Sequence, residues 1–408
     1  MATANATPRL VSRAYYPALT AASTALWAII LGPVLTTLPA QVAVLDPDNR
    51  VVSLAIITGI GGFIGIATNP LVGWLSDMTS TRWGRRRPWL LGGVLVIAPA
   101  AILAGHAGSV AELTLWWTVL QVGANMLMAP LTATIPDMVP AHRSGTASAC
   151  LGISWACAPV VGTLAQTLAG SPDRAYSLLA GLIVLSQIFF IFTVRQDTAR
   201  PDQKQVRSTA WRELLPNDRD LALAWVHRFL FALGQNIAIT YLFFYLQDVV
   251  RFEELYPDSS TDEGVLILTA LYGPAVIVAA LLTGSLADRT QRFKIYIIGA
   301  TAAFACGTLL GALTASWTGV LVLAALTGIG FGAYEAVSMA MTIRLLPDEQ
   351  RRARDLSIIN VATMIAIAIG PVAAALLISL SGYAAMFLIA GVLVLISGAV
   401  AWLIRGVR

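Results

Sequence analysis

The chain has 408 residues, 57% of them hydrophobic and 12% charged, with a formal net charge of +4. That charged fraction is about half of an ordinary soluble domain's, so a water-soluble globule is excluded: too little polar surface exists to cover the apolar residues. The positive balance does not indicate nucleic acid, because the cations are gathered in a few loops between long apolar runs.

In chain order those runs lie at 19–38, 51–74, 89–106, 112–134, 144–169, 174–194, 220–247, 265–286, 295–314, 317–343, 357–380 and 383–404, which predicts twelve helices. At 1.5 Å per residue each can cross a hydrocarbon layer of roughly 30 Å. The runs do not alternate in polarity, so a β-barrel is not expected. Arg9 and Arg13 precede the first run, Arg82, Arg85, Arg86 and Arg87 follow the second, and Arg143 follows the fourth. Further cations crowd the loop after the sixth, follow the eighth and tenth, and end the chain, leaving only Arg50, Arg174 and Arg251 in loops on the other side. Cations near span ends remain cytoplasmic, so both termini are expected in the cytoplasm of a multi-pass protein of the cell's inner (plasma) membrane. No cleavable signal is expected before the first run.

Two halves share one pattern. The stretch from Gly73 to Asp77 leaves the second run as Gly284 to Asp288 leaves the eighth, at an offset of 211 residues, and Pro136-Asp137 and Arg143 recur as Pro347-Asp348 and Arg354 at the same offset. The expected fold is therefore all-α and integral to the membrane. Its twelve transmembrane helices form two pseudo-symmetric six-helix bundles, 1–194 and 220–408, in the same orientation, with a cytoplasmic linker at 195–219. Gly59, Gly61, Gly62 and Gly65 form small-residue stripes that permit close helix contact.

The stretch from Gly73 to Asp77, continued by Arg82-Trp-Gly-Arg-Arg-Arg-Pro88, resembles the loop between the second and third helices of the major facilitator superfamily. Its longer form resembles the glycoside-cation and sucrose-proton symporters in particular. Gly284 to Arg292 is similar to the degenerate second copy, and Ile135 to Gly145 and Leu346 to Asn360 are similar to the loops after the fourth and tenth helices. The resemblance implies a cytoplasmic latch, formed when that side is shut, involving Gly73, Asp77, Arg82, Gly84, Arg85, Arg86, Asp137, Arg143, Gly284, Asp288 and Arg354. It also implies that the first, fourth, seventh and tenth helices line a central cavity. Ala158 to Gly162 resembles part of the glycine-proline signature of drug antiporters, and the carboxylates that melibiose-type symporters carry in the first two helices are missing here.

Arg228 and Glu335 are the ionisable residues set well within apolar runs, with His227 beside the arginine. A lone charge there costs a few kcal/mol, so each is expected to face a partner or a cavity. Counting residues from the predicted helix ends puts both roughly 12 to 14 Å in, so they can meet. A static ion pair and a proton-handling site at Glu335 both fit, as does an Arg228 that holds an anionic solute. For a sugar-like solute, Gln121 and Asn125 share one face of the fourth helix, and Gln235, Asn236 and Tyr241 offer hydrogen-bonding groups in the seventh. Trp27 and Trp155 are candidate stacking surfaces or packing residues.

The favoured reading is a secondary transporter using alternating access, a proton-coupled symporter of a sugar or similar small polar solute. A proton-coupled efflux antiporter and a non-transporting membrane sensor or scaffold are the alternatives. No enzymatic activity and no cofactor are expected: no phosphate loop precedes a Lys-Ser or Lys-Thr pair. His106, His142 and His227 are too scattered for a metal. Cys150, Cys157 and Cys306 fall in apolar runs as packing residues. The partners expected are a small-molecule solute, a proton and membrane lipids, with the chain a monomer.

Overall fold

The computed structural model describes residues 14–140, 144–193, 219–345 and 349–406, and shows helices with no strand among them. The first half contains α1 (Tyr15–Leu45), α2 (Arg50–Met78), α3 (Arg87–Gly105), α4 (Val110–Met138), α5 (Ser144–Ala169) and α6 (Pro172–Thr193). The second contains α7 (Arg219–Thr240, continued at a 46° bend by Leu242–Val250), α8 (Thr261–Thr290), α9 (Phe293–Leu313) and α10 (Trp317–Leu345). The remaining helix, Glu349–Trp402, breaks at Gly382, whose φ of 79° only glycine adopts readily.

That break is a hairpin. Before it, the Cβ position of Gly370 lies against Asn236; after it, Ala390 lies against Gly234, at the same level of α7. Further from the break, Thr363 and Ser397 bond the neighbouring residues Arg228 and His227. The chain doubles back, so 349–381 is α11 and 383–402 is α12, and twelve crossings result.

A similar irregularity occurs in the first helix of each half. α1 contains a π-helical turn at Pro33–Thr37, and α7 ends in one at Leu246–Val250. In α1 the cause is plain: Pro33 and Pro39 lack N–H groups, so the regular ladder is interrupted and a wider turn reconnects it.

In the first half α1 packs on α5 and α6, and α4 on α2 and α3; in the second, α7 packs on the α11–α12 hairpin and α10 on α8 and α9. The halves meet along two seams, α2 with α11 and α5 with α8. Small residues allow this: a Cβ on Gly62 would stand 2.9 Å from the Ala368 backbone, and one on Gly273 3.1 Å from the Ala156 carbonyl. Among the described residues, every hydrogen bond crossing between the halves lies toward the end opposite the chain termini, here termed the far end. Among the described residues none is seen to join the halves at the terminal end.

Candidate functional site

Arg228 of α7 and Glu335 of α10 form a two-armed pair, with Nη1–Oε1 and Nη2–Oε2 both at 2.9 Å. Arg228 Nε also donates to Thr363 Oγ1 of α11 at 3.1 Å, and the guanidinium lies 5.7 Å from the Tyr334 ring centre. Three helices thus fix the cation. The glycines of α10 set its partner: Gly328 and Gly332 fit against α8 and Gly330 against α9, which leaves the Glu335 face toward α7. The arginine side chain is 18% exposed and the glutamate 36%, so the carboxylate is the member that solvent reaches.

His227 does not join this pair. One residue along a helix turns the side chain by about 100°, and His227 is buried against α12, with Nδ1 2.9 Å from the Ser397 carbonyl, a bond it makes only as donor. Ser397 Oγ in turn donates to the His227 carbonyl at 2.8 Å. The histidine is an α7–α12 strut.

Trp27 and Trp155 meet edge to face, with ring centres 4.4 Å apart. They wall a cavity of about 290 Å³ between α1, α4 and α5, completed by Ser23, Leu26, Met128, Leu131, Thr132, Leu151 and Gly152. The buried Ser23 hydroxyl has no hydrogen-bond partner among the described residues.

The amide residues are placed elsewhere. Asn125 donates to the Gln121 carbonyl at 2.8 Å and accepts from Asn69 of α2 at 3.0 Å, with Gly61 and Gly65 giving α2 room to approach. Gln121 and Asn125 share a face as expected, but that face seals α4 to α2 and does not line the cavity. Asn236 caps the Ala232 carbonyl at 2.8 Å and packs on Gly370, while Gln235 interacts with the Tyr272 hydroxyl of α8. Tyr241 is wholly buried and its hydroxyl donates to the backbone carbonyls of Val51 and Pro371 at 3.0 and 3.2 Å, so it ties α7 to α2 and α11 and is spent as a solute contact.

At the terminal end Arg86 is a hub. It reaches Asp77 at 2.7 Å, Asp137 at 3.1 Å and Ser76 Oγ at 2.9 Å, and Arg85 adds a second contact to Asp137 at 3.0 Å. These groups bind the ends of α2 and α4 to the start of α3. Gly84 takes a φ of 98° in the turn before α3, closed by Thr81. Arg82 lies over Trp83 instead of joining the hub, and Gly73 has no heavy atom within 4 Å of its Cβ position. In the second copy Gly284 makes an ordinary contact with Ala336, and Asp288 has no ion-pair partner among the described residues. Arg143 and the side chain of Arg354 lie outside those residues.

Sequence reasoning missed the far-end strut. Arg50 of α2 reaches Asp248 of α7 at 2.5 Å and Gln247 at 2.8 Å, and lies 5.0 Å from the Phe244 ring centre; Tyr383 of α12 donates to the other Asp248 oxygen at 2.6 Å. The signal was available: Arg50 is one of three cations on the sparse side. Nearby, Ser53 and Asn49 donate to Asp46 at the entry to α2 and hold its carboxyl below the usual range. Arg50→Gln is expected to loosen far-end closure. The pair is 27% exposed on each side, intermediate between exposed and buried pairs, so the loss is on the order of 1–2 kcal/mol, a 5- to 30-fold shift in the closed-to-open ratio. Spin labels on Asp48→Cys and Asp258→Cys in a cysteine-free background would report it as a longer distance; an unchanged distribution would contradict it.

The Major Facilitator Superfamily model matches residues 18–267 and 259–408. A sucrose transport protein of Oryza sativa subsp. japonica is 29% identical over 119 residues, 23% of this chain and 22% of that protein. An uncharacterized symporter of Synechocystis is 27% identical over 161 residues, 36% and 29% of the two chains. Hippocampus abundant transcript-like protein 1 of Rattus norvegicus is 24% identical over 246 residues, 55% and 45%. The chain spans less than half the length of these curated relatives. Among solved structures, the nucleoside transporter NupG superposes with a TM-score of 0.75 at 15% identity over 96% of this chain and 99% of that one. A bacterial homolog of the human lysosomal transporter Spinster, inward-facing and occupied, does so with 0.73 at 13% identity over 96% and 97%.

Proposed function

The chain belongs to the major facilitator superfamily, and on that premise we propose that it carries a small ring-bearing polar solute, of the sugar or nucleoside class, by proton-coupled alternating access. The observation that carries the reading is the Trp27–Trp155 pair walling the α1–α4–α5 cavity. Perpendicular indoles offer one face for stacking and one edge for contact, which suits a flat or ring-shaped solute. The unpartnered Ser23 hydroxyl supplies a hydrogen-bonding group at the cavity wall. Across the cleft, Glu335 takes the coupling proton: its carboxylate is the accessible member of a pair whose arginine stays fixed by α11. Proton and solute then each alter the other's affinity, which coupling requires. In this reading the terminal end is cytoplasmic, the membrane is the plasma membrane, and the far-end seams shut the outer side.

A second reading draws support from the same cavity. Apart from Ser23 and Thr132 its side chains are apolar or aromatic, which suits export of a more apolar compound by proton antiport. A thermal-shift screen of neutral sugars, nucleosides and apolar cations at two pH values separates the two, with hits followed as labelled uptake into vesicles. Trp27→Ala and Trp155→Ala should each weaken the binding of a hit by about 5- to 30-fold, on the order of 1–2 kcal/mol. Undiminished affinity in both variants would remove the cavity from the solute path.

A further inference from the structure

The α5–α8 seam contains a half-buried carboxylate whose hydrogen bonding is half complete. Gln166 of α5 is 2% exposed and its Nε2 donates to Asp262 Oδ2 of α8 at 3.3 Å. Two buried atoms of the same pair, Asp262 Oδ1 and Gln166 Oε1, have no partner among the described residues. Both are acceptors when Asp262 is ionised, so neither can satisfy the other. A proton on Oδ1 turns that oxygen into a donor, and a carboxylic acid facing an amide forms a two-armed ring in which each group gives one bond and takes one. Buried polar atoms are rarely left unpaired, and one proton satisfies both of these.

The surroundings agree. The charged groups that bear on Asp262 are Glu263 of its own helix and Glu253 of the short helix Phe252–Leu255, both acidic. From α5 the facing group is the neutral Gln166, and the π-turn Pro33–Thr37 of α1 carries no ionisable residue. Asp248 at the end of α7 is already paired with Arg50. Asp262 stands in the first turn of α8, where amide N–H groups ordinarily favour an anion. Two of those amides are engaged elsewhere: Thr261 N–H donates to Glu253 and Glu263 N–H to Ser260. Thr163 and Thr269, 3.0 Å apart, continue the same polar seam deeper between the halves.

We propose that Asp262 is a proton-binding site at the far-end seam, completed by Gln166, and that its protonated form holds the far end closed. The proton arrives from far-side water while the seam is open. Closure buries it in the acid–amide pair, and reopening returns the carboxyl to water, where it releases the proton. The closed state therefore binds one more proton than the open state above the ordinary carboxylate range, so acid on the far side favours closure. This site is separate from Glu335 and does not require that residue to carry the coupling proton.

The test uses the full chain in nanodiscs, spin-labelled at Asp48→Cys and Asp258→Cys in a cysteine-free background, over a pH series. The closed-to-open ratio should rise as pH falls, by up to about tenfold per pH unit, the limit for one linked proton. Asp262→Asn keeps a two-armed amide pair without a titrating group and should be closed at every pH. Gln166→Leu removes the partner and should move the transition to lower pH. Glu335→Gln should leave the far-end response intact. An unaltered pH response in Asp262→Asn, or a ratio in the parent protein that ignores pH, overturns the proposal. A response lost in Glu335→Gln but kept in Asp262→Asn would also overturn it, while leaving the transport reading standing.

Discussion

Glu335→Gln is expected to abolish accumulation of solute driven by a pH gradient in proteoliposomes while leaving exchange of the same solute across equal pH. A gradient of about two pH units stores about 2.7 kcal/mol per proton, enough for up to about 100-fold accumulation with one proton per solute. The variant should fall to an inside-to-outside ratio near one. Glutamine keeps the size and one acceptor of the carboxylate, and Arg228 remains tied to Thr363 and beside Tyr334, so the local shape survives while the negative charge and its titration are lost. This separates the two roles the geometry allows. A static ion pair predicts damage to exchange and accumulation together, whereas a proton site predicts their separation. Retained gradient-driven accumulation would return Arg228 and Glu335 to a purely structural role.

The parts of this molecule that depend on one helix at a time could be read from the sequence. Twelve apolar runs locate the crossings, and counting residues along α7 and α10 placed Arg228 and Glu335 at one depth, where the structure pairs them. Which neighbour a helix face meets could not be read. Gln121 and Asn125 share a face, but glycines on α2 decide that this face closes against Asn69. The glycine stripe itself divides: Gly61 and Gly65 admit side chains of α4, and Gly59 and Gly62 admit α11. No spacing rule assigns those partners. The far-end strut and the Gln166–Asp262 pair were hidden for the same reason, since each joins residues from opposite halves.

Dividing the contacts between the halves by chemistry gives the proposed rocking motion a physical basis. Along α2–α11 and α5–α8 the contacts in the middle of the bundle are glycine and alanine against backbone, which slide or part without leaving a charge behind. The polar and charged contacts are confined to the far end, where water can replace them when the halves separate. Interactions that open to water cost less to break than buried ones, so the far end can act as a reversible closure while the two bundles remain rigid.

Gly32→Leu is expected to prevent stable folding, and Gly32→Ala to lower thermal stability measurably. A Cβ on Gly32 would stand 2.7 Å from the Gly162 carbonyl carbon and 3.1 Å from its oxygen. Those atoms are backbone and cannot rotate away. The reverse substitution meets α1 in the same way, since a Cβ on Gly162 would lie 2.7 Å from the Ala28 carbonyl. Overpacking of this kind costs about 1–3 kcal/mol for small additions, and a leucine adds several more atoms than the gap admits. The close crossing has a second consequence: Trp27 lies five residues before Gly32 and Trp155 seven before Gly162, so the crossing sets the separation of the two indoles. The glycine after Pro159, which by sequence resembles an antiporter signature, is thus explained by packing. Gly32→Ala should reduce solute affinity as well as thermal stability, because forcing α1 from α5 spreads the tryptophan pair. A stable Gly32→Leu protein with unchanged affinity would show that the crossing neither supports the bundle nor shapes the cavity.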